Sequence, residues 1–516
     1  MTDSKYLFGT CVILIAFLYA GLCLKIDVGY FNDDARYIMS ACSLNQGQYR
    51  DLELPGHPLN VDRLPGYPLF LTPFVRVIMP RWAWLKVLSI ALTLSGCFLL
   101  NTLFADSMTP LSRLSLIAFF GLNPTIIKYS CSVMSEPFFL FLLLLSFLLY
   151  GQWLKRRQAW RFWLISLPLS WAVITRPEGL ALLGSLSGSL AIHREHRASL
   201  KLLIIPALIL SSLLLCNYFS GSSPSGYLQQ MGQILIYLSG RVLPWAMNAG
   251  LVLKVAFVDS LLQAAIPIQN VILNLLVISG FIALGLGLVL IGFNALRRGA
   301  SRQQQTLQTA QGIFVLLYFL MHIVFLSVNN RYFFSVIPLL LAWFMIGGAA
   351  LLASMDKRIV WAWVAVVGFL CCYINPWTSP SDKLWGTTHS YAIPRQTYQW
   401  IEQSTSPQSF ILSVKASATH LYTERYSISE IQAASWHQFC ESLLNDGITH
   451  VLIAPSRLML LSGQRFQNML SIWNDADNWT RQWPDVFVKV YENPQEGTRL
   501  FLIDANKLRK RMDYGK

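Results

Sequence analysis

Acidic residues are scarce in this chain, and charge of either sign is thin. Of 516 residues, 13% are charged and 54% hydrophobic, with a mean hydropathy of +0.46. Residues 1–375 hold only 13 Asp or Glu against 26 Lys or Arg. That composition excludes an ordinary soluble domain and marks a polytopic membrane protein. The formal charge of +14 does not signal nucleic acid. Its basic residues fall in short clusters between apolar runs, as topology signals do. Residues 376–516 carry 14 basic and 13 acidic side chains and are nearly neutral. Nine cysteines, an odd number, give no disulfide framework. Cys11, Cys97, Cys216, Cys371 and Cys372 lie in apolar stretches, where a thiol is a small hydrophobe, while Cys42 and Cys131 are the ones expected to face outward. No phosphate-cradling P-loop is present, which argues against an ATP-driven transporter. The histidines lack metal-cage spacing: His57 and His322 stand isolated, and His193 and His196 fall in a basic loop.

What is present is a series of apolar runs. A span needs about 20 mostly apolar residues. Eleven stretches approach this, near 6–24, 82–104, 109–127, 133–153, 160–175, 178–193, 201–219, 268–293, 308–327, 333–354 and 358–374. The short loops 155–161, 193–201, 297–302 and 355–358 are rich in Lys or Arg, whereas the alternate ones hold Lys128, Arg176 and Arg331, one cation each. The positive-inside rule puts the first set, and the amino terminus, in the cytoplasm. The expected fold is thus an α-helical polytopic membrane protein of about 11 transmembrane helices with a C-terminal soluble α/β domain. Residues 1–375 make the membrane domain, with a first outer loop over about 25–81, and residues 376–516 an extracytoplasmic domain. In that tail, 409–414, 449–454, 485–491 and 499–504 read as strands. Helical stretches at 394–403, 435–446 and 457–473 alternate with them, a βα pattern.

With this topology nine of the 13 acids in the membrane part face outward. Asp51, Glu53 and Asp62 read as tolerated loop charges. Asp33 and Asp34 stand apart because they are adjacent and immediately follow the first span. Like charges this close push one pKa up, which suits a general base. The competing reading is a helix N-cap, since Asn-Asp-Asp precedes ARYIMSA. Glu136 in SVMSEPFF stands where a span begins. Arg176 and Glu178 share the tight turn TRPEG, either as a local ion pair or as a phosphate-binding Arg oriented by its neighbour. Arg331 and Tyr332 in NNRYFF repeat a cation beside an aromatic at a span end, which an interfacial anchor also explains.

Taken in order, DDARYIMSACSLNQGQYRD with RLPGYPLFL, NPTIIKYSCSVMSEP, ITRPEGLALL and NNRYFFSVIP resemble the GT-C superfamily of polyprenyl-phosphate-dependent glycosyltransferases. The bacterial branch related to protein O-mannosyltransferases and aminoarabinose transferases is the most similar, over roughly residues 6–375, and the tail resembles the outer α/β domain of many relatives. The resemblance implies transfer of a sugar from undecaprenyl phosphate (dolichyl phosphate in other hosts) to a lipid, glycan or protein acceptor. It implies a periplasmic or outer face, inversion of the anomeric centre, and residence in the bacterial inner membrane among its lipids. The base falls to Asp33 or Asp34, and Arg63, Lys128, Arg176 and Arg331 become donor-phosphate candidates. Glu136, Glu178 and Tyr332 become acceptor-side or supporting groups. RLPGYP departs from the Lys/His-Pro-Pro of many relatives, with Leu64 where a proline is common and Arg63 at the cationic position. No cofactor is implied with certainty, and a divalent metal ion is left open, because some relatives bind one and others do not need one. Asp33 and Asp34 alone make a thin oxygen shell. The alternatives are a flippase or transporter of lipid-linked sugars, which would show broken midplane helices and related halves, and a polysaccharide polymerase or ligase.

Overall fold

The computed structural model describes residues 2–60, 63–219, 242–262, 271–298, 300–324, 329–353, 392–429, 431, 436–454 and 480–514. The expected span near 358–374 and the expected helix 457–473 lie outside these residues, as does most of the outer segment 220–267. The other ten expected spans all fall on helices.

Two compact units divide the chain. The first comprises residues 1–24, 61–67 and 86–387, and the second residues 25–60, 68–85 and 388–516.

Among the described residues six helices are long and apolar enough to cross a membrane, or seven if one bent pair counts as a single span. The chain is an integral membrane protein. Helices Ala159–Thr175, Glu178–Ile192 and Ile337–Ala353 have 17, 15 and 17 residues, at or below the shortest lengths that cross about 30 Å of hydrocarbon. The bent pair is Pro110–Leu122 and Pro124–Ser130, at 62°. Its cause is local. Pro124 holds Asn123 extended and provides no N–H to continue the ladder. The Asn123 side chain then accepts from the Thr125 and Ile126 N–H groups and caps the second piece.

Helices Val271–Arg297 and Ile337–Ala353 meet through Gly292 and Gly347. A Cβ on Gly347 would collide with the Leu288 carbonyl, and one on Gly292 with that of Trp343. Small residues let membrane helices approach this closely. Gly347→Ala is therefore expected to cost about 1–3 kcal/mol, read as a fall in thermal midpoint in detergent. An unchanged midpoint would mean that the two helices separate without penalty.

The second unit is built on a five-stranded sheet. Its strands are β1 (Phe410–Ser413), β2 (Tyr426–Ile428), β3 (His450–Ile453), β4 (Phe487–Asn493) and β5 (Thr498–Ile503), in the order β2-β1-β3-β5-β4. β1 pairs in parallel with β2 and β3, whereas β5 pairs antiparallel with β3 and β4. Alternate residues point to opposite faces, so Phe410, Leu412, Val451, Ile453, Phe501 and Ile503 line one core with Phe439, Leu443 and Leu508. Ile411, Leu452 and Leu500 line the other with Tyr398, Ile401, Ala418 and Ala35. Ala35 comes from the first outer loop, whose helix Asp33–Asn45 is thus part of this domain's core. The four expected strands are all present. β2 was not anticipated, being three residues long and partly polar.

Candidate active site

The sequence-selected residues fall into two groups, one in each unit. In the first unit the TRPEG turn sets the geometry. Pro177 keeps Arg176 extended (φ −149°, ψ 149°) at the end of helix Ala159–Thr175, and the next helix begins at Glu178. Arg176 Nη2 lies 2.8 Å from Glu178 Oε1, and its Nε donates to Glu178 Oε2 at 3.2 Å. Nη1 donates to Ser135 Oγ at 3.1 Å and lies 2.8 Å from Glu136 Oε1. Arg331 Nε approaches the same Glu136 oxygen at 3.1 Å. Both approaches to Glu136 are ion contacts without hydrogen-bond alignment, so its carboxylate, 1% exposed, accepts no hydrogen bond among the described residues. Two carboxylates and two guanidiniums therefore balance, in a cluster whose first three members are almost fully buried.

Arg331 sits in the turn Asn330–Phe333, where Asn329 Oδ1 accepts its N–H, and its guanidinium lies 5.3 Å from the centre of the Tyr332 ring. The anchor reading of this pair matches that contact. Tyr129 donates to Asn330 Oδ1 at 3.5 Å, which ties helix Pro124–Ser130 to the turn. Lys128 is on that helix and is buried, and Arg63 is half-buried ahead of helix Gly66–Ile78. Sequence reasoning left His322 isolated, yet its Nε2 lies 3.8 Å from Glu178 Oε1 and its ring 5.3 Å from that of Tyr332. Its nearest ring, that of Tyr318, is four positions away at 4.7 Å, whereas Tyr332 and Glu178 are 10 and 144 positions away. Cys131, expected to face outward, is fully buried and donates to the Tyr19 carbonyl at 3.5 Å. It packs as a small hydrophobe.

In the second unit, Asp33 and Asp34 open helix Asp33–Asn45. Their environments differ. Asp34 is 1% exposed, and its two oxygens accept the N–H groups of Gly29 at 2.7 Å and Ala35 at 3.0 Å. Burial raises its pKa to about 7, despite the lowering effect of these bonds and of Lys415, with Asp33 adding a little to the rise. Asp33 is partly exposed. Asn32, at the N-cap position of this helix, makes no side-chain cap bond to it. Its backbone is left-handed (φ 64°), and its Oδ1 accepts instead from Ser417 and Ala418 at the start of helix Ala416–Thr423. Arg36 pairs with Glu53 at 2.6 Å and donates to Ser417 Oγ at 3.0 Å.

Among solved structures, ArnT from Cupriavidus metallidurans in the apo state matches with a TM-score of 0.53 at 11% identity, over 98% of each chain. The same protein bound to undecaprenyl phosphate matches at 0.51 and 12%, over 97% of this chain and 98% of that one. The apo oligosaccharyltransferase of Archaeoglobus fulgidus matches at 0.52 and 11%, over 88% of this chain and 71% of that one. The chain shares the fold of these two proteins. The GT-C resemblance in four dispersed motifs is thereby borne out at the level of fold. No protein-family model and no curated protein matches the sequence. One structure of the oligosaccharyltransferase is a complex with zinc and sulfate. In this chain no three His, Cys, Asp or Glu gather among the described residues, and both oxygens of Asp34 accept backbone N–H groups. These residues do not form a metal shell.

Proposed function

We propose that the protein is a membrane glycosyltransferase that moves a sugar from a polyprenyl phosphate to a lipid, glycan or protein acceptor. In a bacterial host the carrier is undecaprenyl phosphate and the site faces the periplasm, with the amino terminus in the cytoplasm. The observation that carries this reading is the acid turn of a GT-C fold, with one carboxylate buried and bonded and its neighbour partly exposed. Asp33 is the base. A base must reach its proton within hydrogen-bond distance, and Asp33 is partly exposed whereas Asp34 is 1% exposed. Asp33 removes the acceptor proton as the nucleophile attacks the anomeric carbon. The bond from that carbon to the phosphate oxygen breaks with inversion, and polyprenyl phosphate leaves with the electron pair.

A leaving phosphate calls for cations. We assign this to Arg63, Lys128 and Arg331. Arg176 directs its donors to Glu136, Glu178 and Ser135, so we assign it to holding those groups and not to the donor. Glu136, Glu178 and Tyr332 then support the cations or face the acceptor.

The test is release of free undecaprenyl phosphate by the purified protein from a panel of undecaprenyl-phosphate sugars. Turnover of one donor supports the reading. Donor binding without release, across the panel and with lipid, glycan and peptide acceptors present, sinks it in favour of a carrier.

A further inference from the structure

The first outer loop and helix Ala416–Thr423 are joined by contacts that look excessive for a simple cover. Asn32 Oδ1 receives the N–H groups of Ser417 and Ala418 at 3.0 and 3.4 Å, satisfying the orphan donors of that helix's first turn. Arg36 Nε donates to Ser417 Oγ, and the Tyr422 hydroxyl donates to the Val28 carbonyl at 2.9 Å. Gly29 is left-handed (φ 95°), and a Cβ there would stand 2.8 Å from that of Ala418. Its N–H is the one that holds Asp34 Oδ2. The segment that shapes the acid turn is thus the same segment that grips the helix.

Lys415 immediately precedes this helix. It is 6% exposed, and its Nζ lies 5.5 Å from the centre of the Tyr30 ring. A buried ammonium is expensive unless a counter-charge offsets it. The carboxylates that act on it are Asp34 and Asp33, in that order. Of the other charges facing the turn, Arg36 pairs with Glu53 and also acts on Asp33, and Asp27 pairs with Arg395.

We propose that the C-terminal domain completes the acid turn, with Lys415 as a positioning residue that supplies the counter-charge to the Asp33–Asp34 pair. This rests on the glycosyltransferase reading for its catalytic consequence, but not for its electrostatics. Burial lowers the Lys415 pKa to about 8, so the ammonium is charged across the range in which Asp34, near 7, titrates. Removing a nearby positive charge raises a carboxylate's pKa. The remaining titratable neighbour, Tyr422, is itself pushed upward by burial and stays neutral there.

The test uses the full chain in detergent and compares native protein with Lys415→Met, Lys415→Gln and Lys415→Arg. Carboxylate protonation is followed by infrared difference titration, and turnover is followed against pH. In Lys415→Met and Lys415→Gln, a carboxylate midpoint is expected to rise, and the acid limb of kcat with it, while Lys415→Arg stays near native. An unmoved midpoint in whichever neutral variant folds overturns the proposal. If Asp33→Asn retains native turnover while the midpoint still moves, the base assignment fails and the pairing of Lys415 with the acid turn stands.

Discussion

Asp33→Asn is expected to lower kcat by about 10²–10⁴-fold, the usual contribution of a general base, with donor binding unchanged. The substitution keeps size and polarity and removes only the capacity to take a proton. Asp34→Asn should behave differently. Asp34 accepts from two backbone N–H groups, one on each oxygen, and an amide has one accepting oxygen, so its NH₂ must face a donor. The variant should lose about 1–3 kcal/mol of stability along with activity. Its pH dependence gives a second mark. The folded-state pKa of Asp34 is raised from 3.8 to about 7. The unfolded chain therefore binds fewer protons than the folded one between these values. The stability from Asp34 is then full below about pH 4 and is lost as pH rises through 7. The native thermal midpoint should fall relative to Asp34→Asn between pH 5 and 8. A constant gap, or equal kcat losses at equal stability in the two variants, would undo the division of labour between the aspartates.

That division could not be read from the sequence, whereas much of the fold could. Long apolar runs mark helices directly, and four of the five strands carry the alternation of a covered sheet. Adjacent aspartates after a span flagged the acid turn because such charges are costly without a task. What separates Asp33 from Asp34 is burial, and burial arises when Gly29 and helix Ala416–Thr423 close on one of them. Those contacts span up to 394 positions and leave no periodic signal. The role of the Asn32 side chain was hidden for a related reason. Its oxygen serves a distant helix, and the local motif Asn-Asp-Asp is the same in either case. Lys415 and His322 were missed because the charged groups near each are supplied by other elements. Arg176 and Glu178, two positions apart across a proline, are the opposite case. Their pairing is local, and the motif gave it.

Arg176→Met is expected to cost about 3–5 kcal/mol, the effect of removing one partner from a buried ion pair. Without the guanidinium, Glu178 and Glu136 remain at 4% and 1% exposure with Arg331 as the cation still close to either. Arg176→Lys should recover only part of the loss, because an ammonium cannot span both Glu178 oxygens and Ser135 as the planar fork does. The double variant Arg176→Met/Glu178→Gln should be more stable than Arg176→Met, since one stranded charge is gone with its partner, and a double-mutant cycle measures that coupling. Thermal unfolding in detergent reads all three. The kinetics separate a holding role from a phosphate-binding one. A residue that touches the donor phosphate loses donor affinity in any variant that folds, and a holding residue loses activity in step with stability. Arg176→Lys, the mildest change, should therefore keep near-native donor binding, whereas Arg331→Met should weaken it by at least about tenfold, a 1.4 kcal/mol effect within the range of one charge-assisted hydrogen bond. The reverse pattern would transfer the phosphate to Arg176 and leave Arg331 to its contact with Tyr332.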